Sequence, residues 1–129
     1  AADVERAMER FELGDTTTMD RSTPVDVSGI LDPLFLGVGA ETTCAVRTSG
    51  ATECWGYNEY GQLGIGNMTD SPVPVPVSML GNAVELTVGW SHACVVDTGG
   101  SVLCWGSNER GQLGNGTMTN STVPAVSLF

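Results

Sequence analysis

Cations are scarce in this sequence: Lys and Arg together number 5 against 15 Asp and Glu, a formal net charge of -10. So few cations cannot build the basic surface that displaces condensed counterions from a nucleic acid, and an anionic membrane surface is disfavoured for the same reason. The acidity fits either a plain solvated surface or one that steers towards a basic protein partner. Long apolar runs are missing as well. None approaches the roughly 20 residues that span a bilayer, and residues 1–20 show neither the basic start nor the apolar middle of a signal peptide. The first residue is Ala rather than Met, which fits a processed product or a piece of something longer. Histidine is limited to His92, and no nucleophile, base and orienting group stand at workable spacing, so an enzyme is not expected. What remains is 129 residues, 41% of them hydrophobic, enough for a packed core rather than disorder.

An internal repeat organises the chain. Cys54-Trp55-Gly56 recurs as Cys104-Trp105-Gly106, and the same shift carries Gly39 to Gly89, Cys44 to Cys94, Asn58-Glu59 to Asn108-Glu109 and Gly61-Gln62-Leu63-Gly64 to Gly111-Gln112-Leu113-Gly114. Extended backwards, the register places Leu13-Gly14 on Leu63-Gly64 and Pro24-Val25 on Pro74-Val75; forwards it places Pro124 on Pro74. The expected organisation is an N-terminal segment over 1–12, a partial first repeat over 13–38, a repeat over 39–88, and a repeat over 89–129 that ends in a partial blade.

Within one period the residues predict short strands. Val84 to Val88 alternates apolar and polar residues, as a half-buried strand does. The runs 93–97 and 101–105 are joined by Thr98-Gly99-Gly100, where glycine supplies the positive φ of a three-residue hairpin loop. In Val73-Pro74-Val75-Pro76-Val77, two prolines remove two ladder donors, which suits an edge strand. Four short strands per repeat is the stride of a propeller blade. The fold class is therefore all-β, about two tandem four-stranded blades of a partial β-propeller. In residues 3–11, Val4, Ala7, Met8 and Phe11 lie on one helical face; the segment is either a short helix capping the first blade or a frayed terminus.

The second copy, Gly89-x-x-His92-x-Cys94-x-Val96 followed by Gly100-x-x-x-Cys104-Trp105-Gly106-x-Asn108-x-x-Gly111-Gln112-Leu113-Gly114-x-Gly116, resembles the regulator of chromosome condensation repeat. The first copy differs by Thr42 in the place of His92. Residues 14–29, with Arg21-Ser22-Thr23-Pro24-Val25, resemble the inter-repeat segment of secreted bacterial members. The resemblance covers most of residues 13–129. It implies a propeller of about seven blades in closed members, faces that hold another protein, no cofactor, and no catalysis. Family members nonetheless differ widely in role, from an exchange factor for a small nuclear GTPase to a photoreceptor and an inhibitor of β-lactamases. The expected function is thus a non-catalytic protein-binding scaffold, secreted or surface-exposed. The alternative is a binding domain or fragment of a larger cytosolic regulator of a small GTPase, or of a multidomain enzyme.

Candidate chemistry divides into structural and binding roles. If 98–100 form the loop, Asp97 faces Ser101 and counting outward sets Cys94 opposite Cys104; the first copy sets Cys44 opposite Cys54. Opposed residues of an antiparallel pair approach to about 4.5 Å, within disulfide reach, which points to an extracellular or periplasmic compartment. Paired buried thiols in a cytosolic blade are the alternative. Zinc would need two further ligands for each pair, and one histidine cannot serve both; the loops of Asp20, Asp70 and Asn120 hold too few carboxylates for calcium, so no metal is expected. The family resemblance makes His92 a structural hydrogen-bonding residue. Gly89-Trp90-Ser91-His92 is similar to the light-sensing motif of the family's plant photoreceptor, with Ser91 in place of its Arg. Candidate partner contacts are Tyr57, Asn58, Glu59, Tyr60, Trp90, Asn108, Glu109 and Arg110. Two blades alone leave apolar faces open, so self-association that completes a propeller, by exchange of edge strands near Pro24-Val25 and Pro124-Ala125, is a further expectation.

Overall fold

The computed structural model describes Val27, Gly29, Ile30 and residues 32–128; the expected N-terminal helix over 3–11 lies outside the described residues. Every regular element among them is a strand. In chain order these are β1 (Pro33–Val38), β2 (Thr42–Arg47), β3 (Thr52–Gly56), β4 (Ser71–Pro76), β5 (Ala83–Val88), β6 (His92–Asp97), β7 (Val102–Gly106) and β8 (Ser121–Val126). They form two antiparallel meanders, β1-β2-β3-β4 and β5-β6-β7-β8, which is two four-stranded blades.

Local chemistry sets each blade's register. In the second hairpin the Asp97 amide donates to the Ser101 carbonyl at 2.9 Å, and Gly100 N–H donates back to the Asp97 carbonyl at 3.0 Å. The Asp97 carboxylate accepts from the amides of Gly99 and Ser101, both at 2.9 Å. That loop brings Cys94 opposite Cys104, as the corresponding turn brings Cys44 opposite Cys54. Both pairs are disulfide-bonded, with Cα atoms 4.1 and 4.0 Å apart. β4 carries Pro72, Pro74 and Pro76 and stands at the outer edge of its sheet, where an absent N–H breaks no ladder bond.

The core lies between the blades. Alternation along each strand sends Cys44, Val46 and Cys54 of the first blade into one cluster with Ala93, Val95 and Trp105 of the second, joined by Leu63 and Val77. Close approach needs Gly39: a Cβ at that position would run into the Gly89 carbonyl oxygen of the neighbouring blade.

The 57–70 loop after β3 makes the second join, since it leaves its own blade to lie on the next. Gly66 N–H donates to the Thr122 carbonyl at 2.9 Å, and the Trp105 Nε1–H donates to the Gln62 carbonyl at 2.8 Å. Gly64, at φ +68°, sits so near the Trp105 indole that a Cβ would lie 2.9 Å from it. Both Trp55 and Trp105 are buried. Trp105 lies in the interblade cluster, while Trp55 occupies the face of the first blade turned away from it.

Candidate protein-binding face

Strand direction gathers the candidate contacts at one end of the molecule. The β1–β2, β3–β4, β5–β6 and β7–β8 connections all emerge there, and the 48–51, 77–82 and 98–101 turns emerge at the other.

Asn58 and Asn108 are repeated residues of these loops, and the structure places both inside, at 0% exposure. The Asn58 side-chain oxygen accepts from Leu63 N–H at 2.9 Å, and its amide donates to the carbonyls of Asn67 and Thr69 at 2.9 and 3.0 Å. Asn108 accepts from Leu113 N–H at 2.9 Å and donates to the Thr117 and Thr119 carbonyls, both at 3.0 Å. Each holds one long loop in shape, so neither is placed to touch a partner. The loop tips are different. Glu59, Glu109, Arg110 and Trp90 are exposed, and Tyr57 and Tyr60 are partly so.

Trp90 dominates this end. Its side chain is 71% exposed and separates two hollows. One, of about 230 Å³, is lined by Glu41, Tyr57, Glu59, Tyr60, Trp90 and Ser91, with Ala40 and Gln62 at its wall. The other, of about 460 Å³, shares Tyr60 and Trp90 and adds His92, Glu109 and Arg110. Gln62 stiffens the rim, its side-chain oxygen accepting from Tyr60 N–H at 2.8 Å.

Sequence reasoning did not single out Glu41. The signal was present, because counting outward from the Cys44–Cys54 pair sets Glu41 opposite Tyr57, and Tyr57 N–H donates to the Glu41 carbonyl at 2.9 Å. His92 packs its imidazole on Gly89. Burial pushes its pKa below the ordinary histidine value. In the first blade the equivalent Thr42 hydroxyl donates to the Tyr57 carbonyl at 2.8 Å. The Asp70 carboxylate accepts from the Asn58 backbone N–H at 2.8 Å, and no group of three or more metal-ligating side chains occurs among the described residues.

Twin four-stranded meanders packed face against face, with the long loop of the first reaching over the second, define a segment of a β-propeller built from repeats. The family profile described as the regulator of chromosome condensation (RCC1) repeat matches residues 54–96 and 99–127, and a second RCC1 profile matches 83–112. The chain belongs to that family. Among solved structures, yeast Prp20 in complex with Kap60 superposes with a TM-score of 0.80 at 15% identity, over 94% of this chain and 31% of that one. Prp20p from Saccharomyces cerevisiae, in a study that also describes its binding to Gsp1p and histones, gives 0.79 at 15% over 94% and 32%. Human WBSCR16 gives 0.76 at 22% over 95% and 33%. The chain thus spans about a third of these propellers, and at such identities they establish the fold alone. No curated protein sequence matches it significantly.

Proposed function

We propose that the chain is a non-catalytic protein-binding scaffold that works in an oxidising compartment, extracellular or periplasmic, through the end that carries Trp90. The observation behind this reading is a large indole left 71% exposed between two hollows, on hairpins stapled by disulfides. Large exposed aromatics beside Tyr and Arg are the usual anchors of protein interfaces. The binding of Kap60, Gsp1p and histones named for Prp20 is a precedent for protein ligands on this fold. The face offers aromatic, carboxylate and guanidinium groups, side-chain types that suit recognition of a protein surface. The reading as a piece of a larger cytosolic regulator predicts reduced thiols, and native mass spectrometry before and after reductant separates the two. A photo-cross-linking residue at position 90 is expected to capture a protein partner from the native source, and one at position 79, 86% exposed at the opposite end, is not. Equal capture at both positions would dismiss the Trp90 end as the binding face.

The same reading extends to assembly with a second copy. Gln62 and Gly64 are buried beneath Trp105, whereas their repeats Gln112 and Gly114 lie partly and fully open, a second seat for a blade tryptophan. Beside it Val126 and Leu128 are 59% and 70% exposed, and repeat folds generally need about three or more units to stand. Light scattering at micromolar concentration is expected to give a multiple of 13.4 kDa. A monomer that unfolds cooperatively would end the idea.

A further inference from the structure

We infer that Asn115 is a modification site, at which a chain left uncovered on the outward side of its second blade converts this side-chain amide to a carboxylate; the inference rests on the assembly reading only for what covers the site. Asn115 is partly exposed and is followed by the exposed Gly116. Of the chain's asparagines it alone precedes a glycine, so no Cβ crowds the backbone nitrogen next to its side chain. The Asn115 side-chain oxygen accepts from the Thr117 hydroxyl at 2.8 Å, from Thr117 N–H at 3.1 Å and from the Asn108 side-chain amide at 3.2 Å. Donors aimed at an amide oxygen stabilise the oxyanion that forms when a nucleophile adds to its carbon. The nucleophile is the Gly116 nitrogen. It loses its proton to solvent and bonds to Asn115 Cγ; the Cγ–Nδ2 bond then breaks, and the amide nitrogen takes a proton from water and leaves as ammonia. Water opens the resulting cyclic imide, at one carbonyl to aspartate and at the other to isoaspartate. The net change exchanges ammonia for water and needs no oxidant or reductant.

The first blade shows what protects such a nitrogen. Gly66 holds the same place there, and its N–H donates to the Thr122 carbonyl of the second blade at 2.9 Å. Gly116 N–H makes no hydrogen bond among the described residues. A second copy docked on this side as the second blade docks on the first would give Gly116 that acceptor and tie up the nucleophile. In the same register Asn115 corresponds to Ile65, which packs against the interblade cluster. A carboxylate in that place has to be desolvated on docking, at a cost an amide does not carry. Conversion therefore marks chains that have stayed uncovered and withholds them from assembly.

The test incubates the whole chain, both disulfides intact, in dilute neutral buffer and maps its peptides by mass and by enzymatic methylation of isoaspartate. Conversion is expected at Asn115 ahead of Asn67 and Asn82, which are more exposed but precede Met68 and Ala83. Thr117→Val is expected to slow it about three- to tenfold, the loss of one ordinary hydrogen bond to the reacting oxygen, and Thr117→Ser to restore it. Asn115→Gln, whose imide ring would be larger, is expected to stay intact. At concentrations where light scattering gives a multiple of the single-chain mass, conversion is expected to slow, and Asn115→Asp to weaken the association. Conversion first at Asn67 or Asn82, an equal or faster rate in Thr117→Val, or no conversion at Asn115 would overturn the inference. Conversion at Asn115 in a chain that is monomeric at every concentration would discard the assembly reading and keep the site; assembly with conversion at the dilute rate would discard the protection and keep the assembly.

Discussion

Trp105→Ala is expected to lower the unfolding free energy by about 3 to 5 kcal/mol, the range for removing a large buried aromatic and leaving a cavity. Nothing small can take its place, because the indole is 0% exposed and fills the join where Gly64 and Val77 of one blade meet β7 of the other. Its loss also strips the Gln62 carbonyl of the indole N–H that satisfies it at 2.8 Å, an added cost for a buried acceptor. The melting temperature is expected to fall by roughly 10 to 20 °C, at about 4 °C per kcal/mol for a domain of this size. Denaturant titration followed by far-ultraviolet circular dichroism checks it. A change below about 1 kcal/mol, the size of an ordinary surface substitution, would show that the blades are not locked through this residue.

Reduction of the disulfides is expected to destabilise by a similar amount, and in two stages. Each bond closes a loop with a sequence separation of 10, for which chain entropy gives about 2.5 to 3 kcal/mol, hence roughly 5 for the two. The stages follow from alternation along the strands. Cys44 and Cys54 face the second blade and are both 0% exposed. Cys94 and Cys104 lie on that blade's outward side, where Cys94 is partly exposed and lines a shallow hollow with Glu85 and Val102. Dilute native chain treated with mild reductant and then alkylated is expected to carry label on Cys94 and Cys104 first. Label on Cys44 and Cys54 is expected only under conditions that unfold the chain. If the proposed second copy docks on that side, raising the protein concentration is expected to protect the outward pair. Simultaneous labelling of all four cysteines in dilute native buffer would mean that the blades part readily in water.

Much of the fold was legible because it is local. The Thr98-Gly99-Gly100 loop defines a hairpin, the hairpin defines which cysteines face each other, and the register came out as counted. Prolines placed β4 at an edge for want of donors. The site was legible only in part. Asn58 and Asn108 sit in polar loop tips and read as contacts, yet their side chains satisfy the backbone of their own loops. Loop composition alone does not distinguish an amide that holds a turn from one that meets a partner.

The sequence by itself determined the blade: strand order, turn chemistry, cysteine pairing and the repeat that stacks one unit on the next. Each depends on residues within one hairpin or loop, or on period-two alternation. Only the tertiary structure brought together the face proposed for binding, which is assembled where the copies differ. In the repeat register Ala40 corresponds to Trp90, Glu41 to Ser91, Tyr57 to Ser107 and Tyr60 to Arg110. The packing of one blade on the next sets Glu41, Tyr57 and Tyr60 of the first beside Trp90 and Ser91 of the second. That juxtaposition depends on the buried contacts of Trp105, Gly39 and the 57–70 loop, which lie between blades and leave no spacing in either repeat to be read.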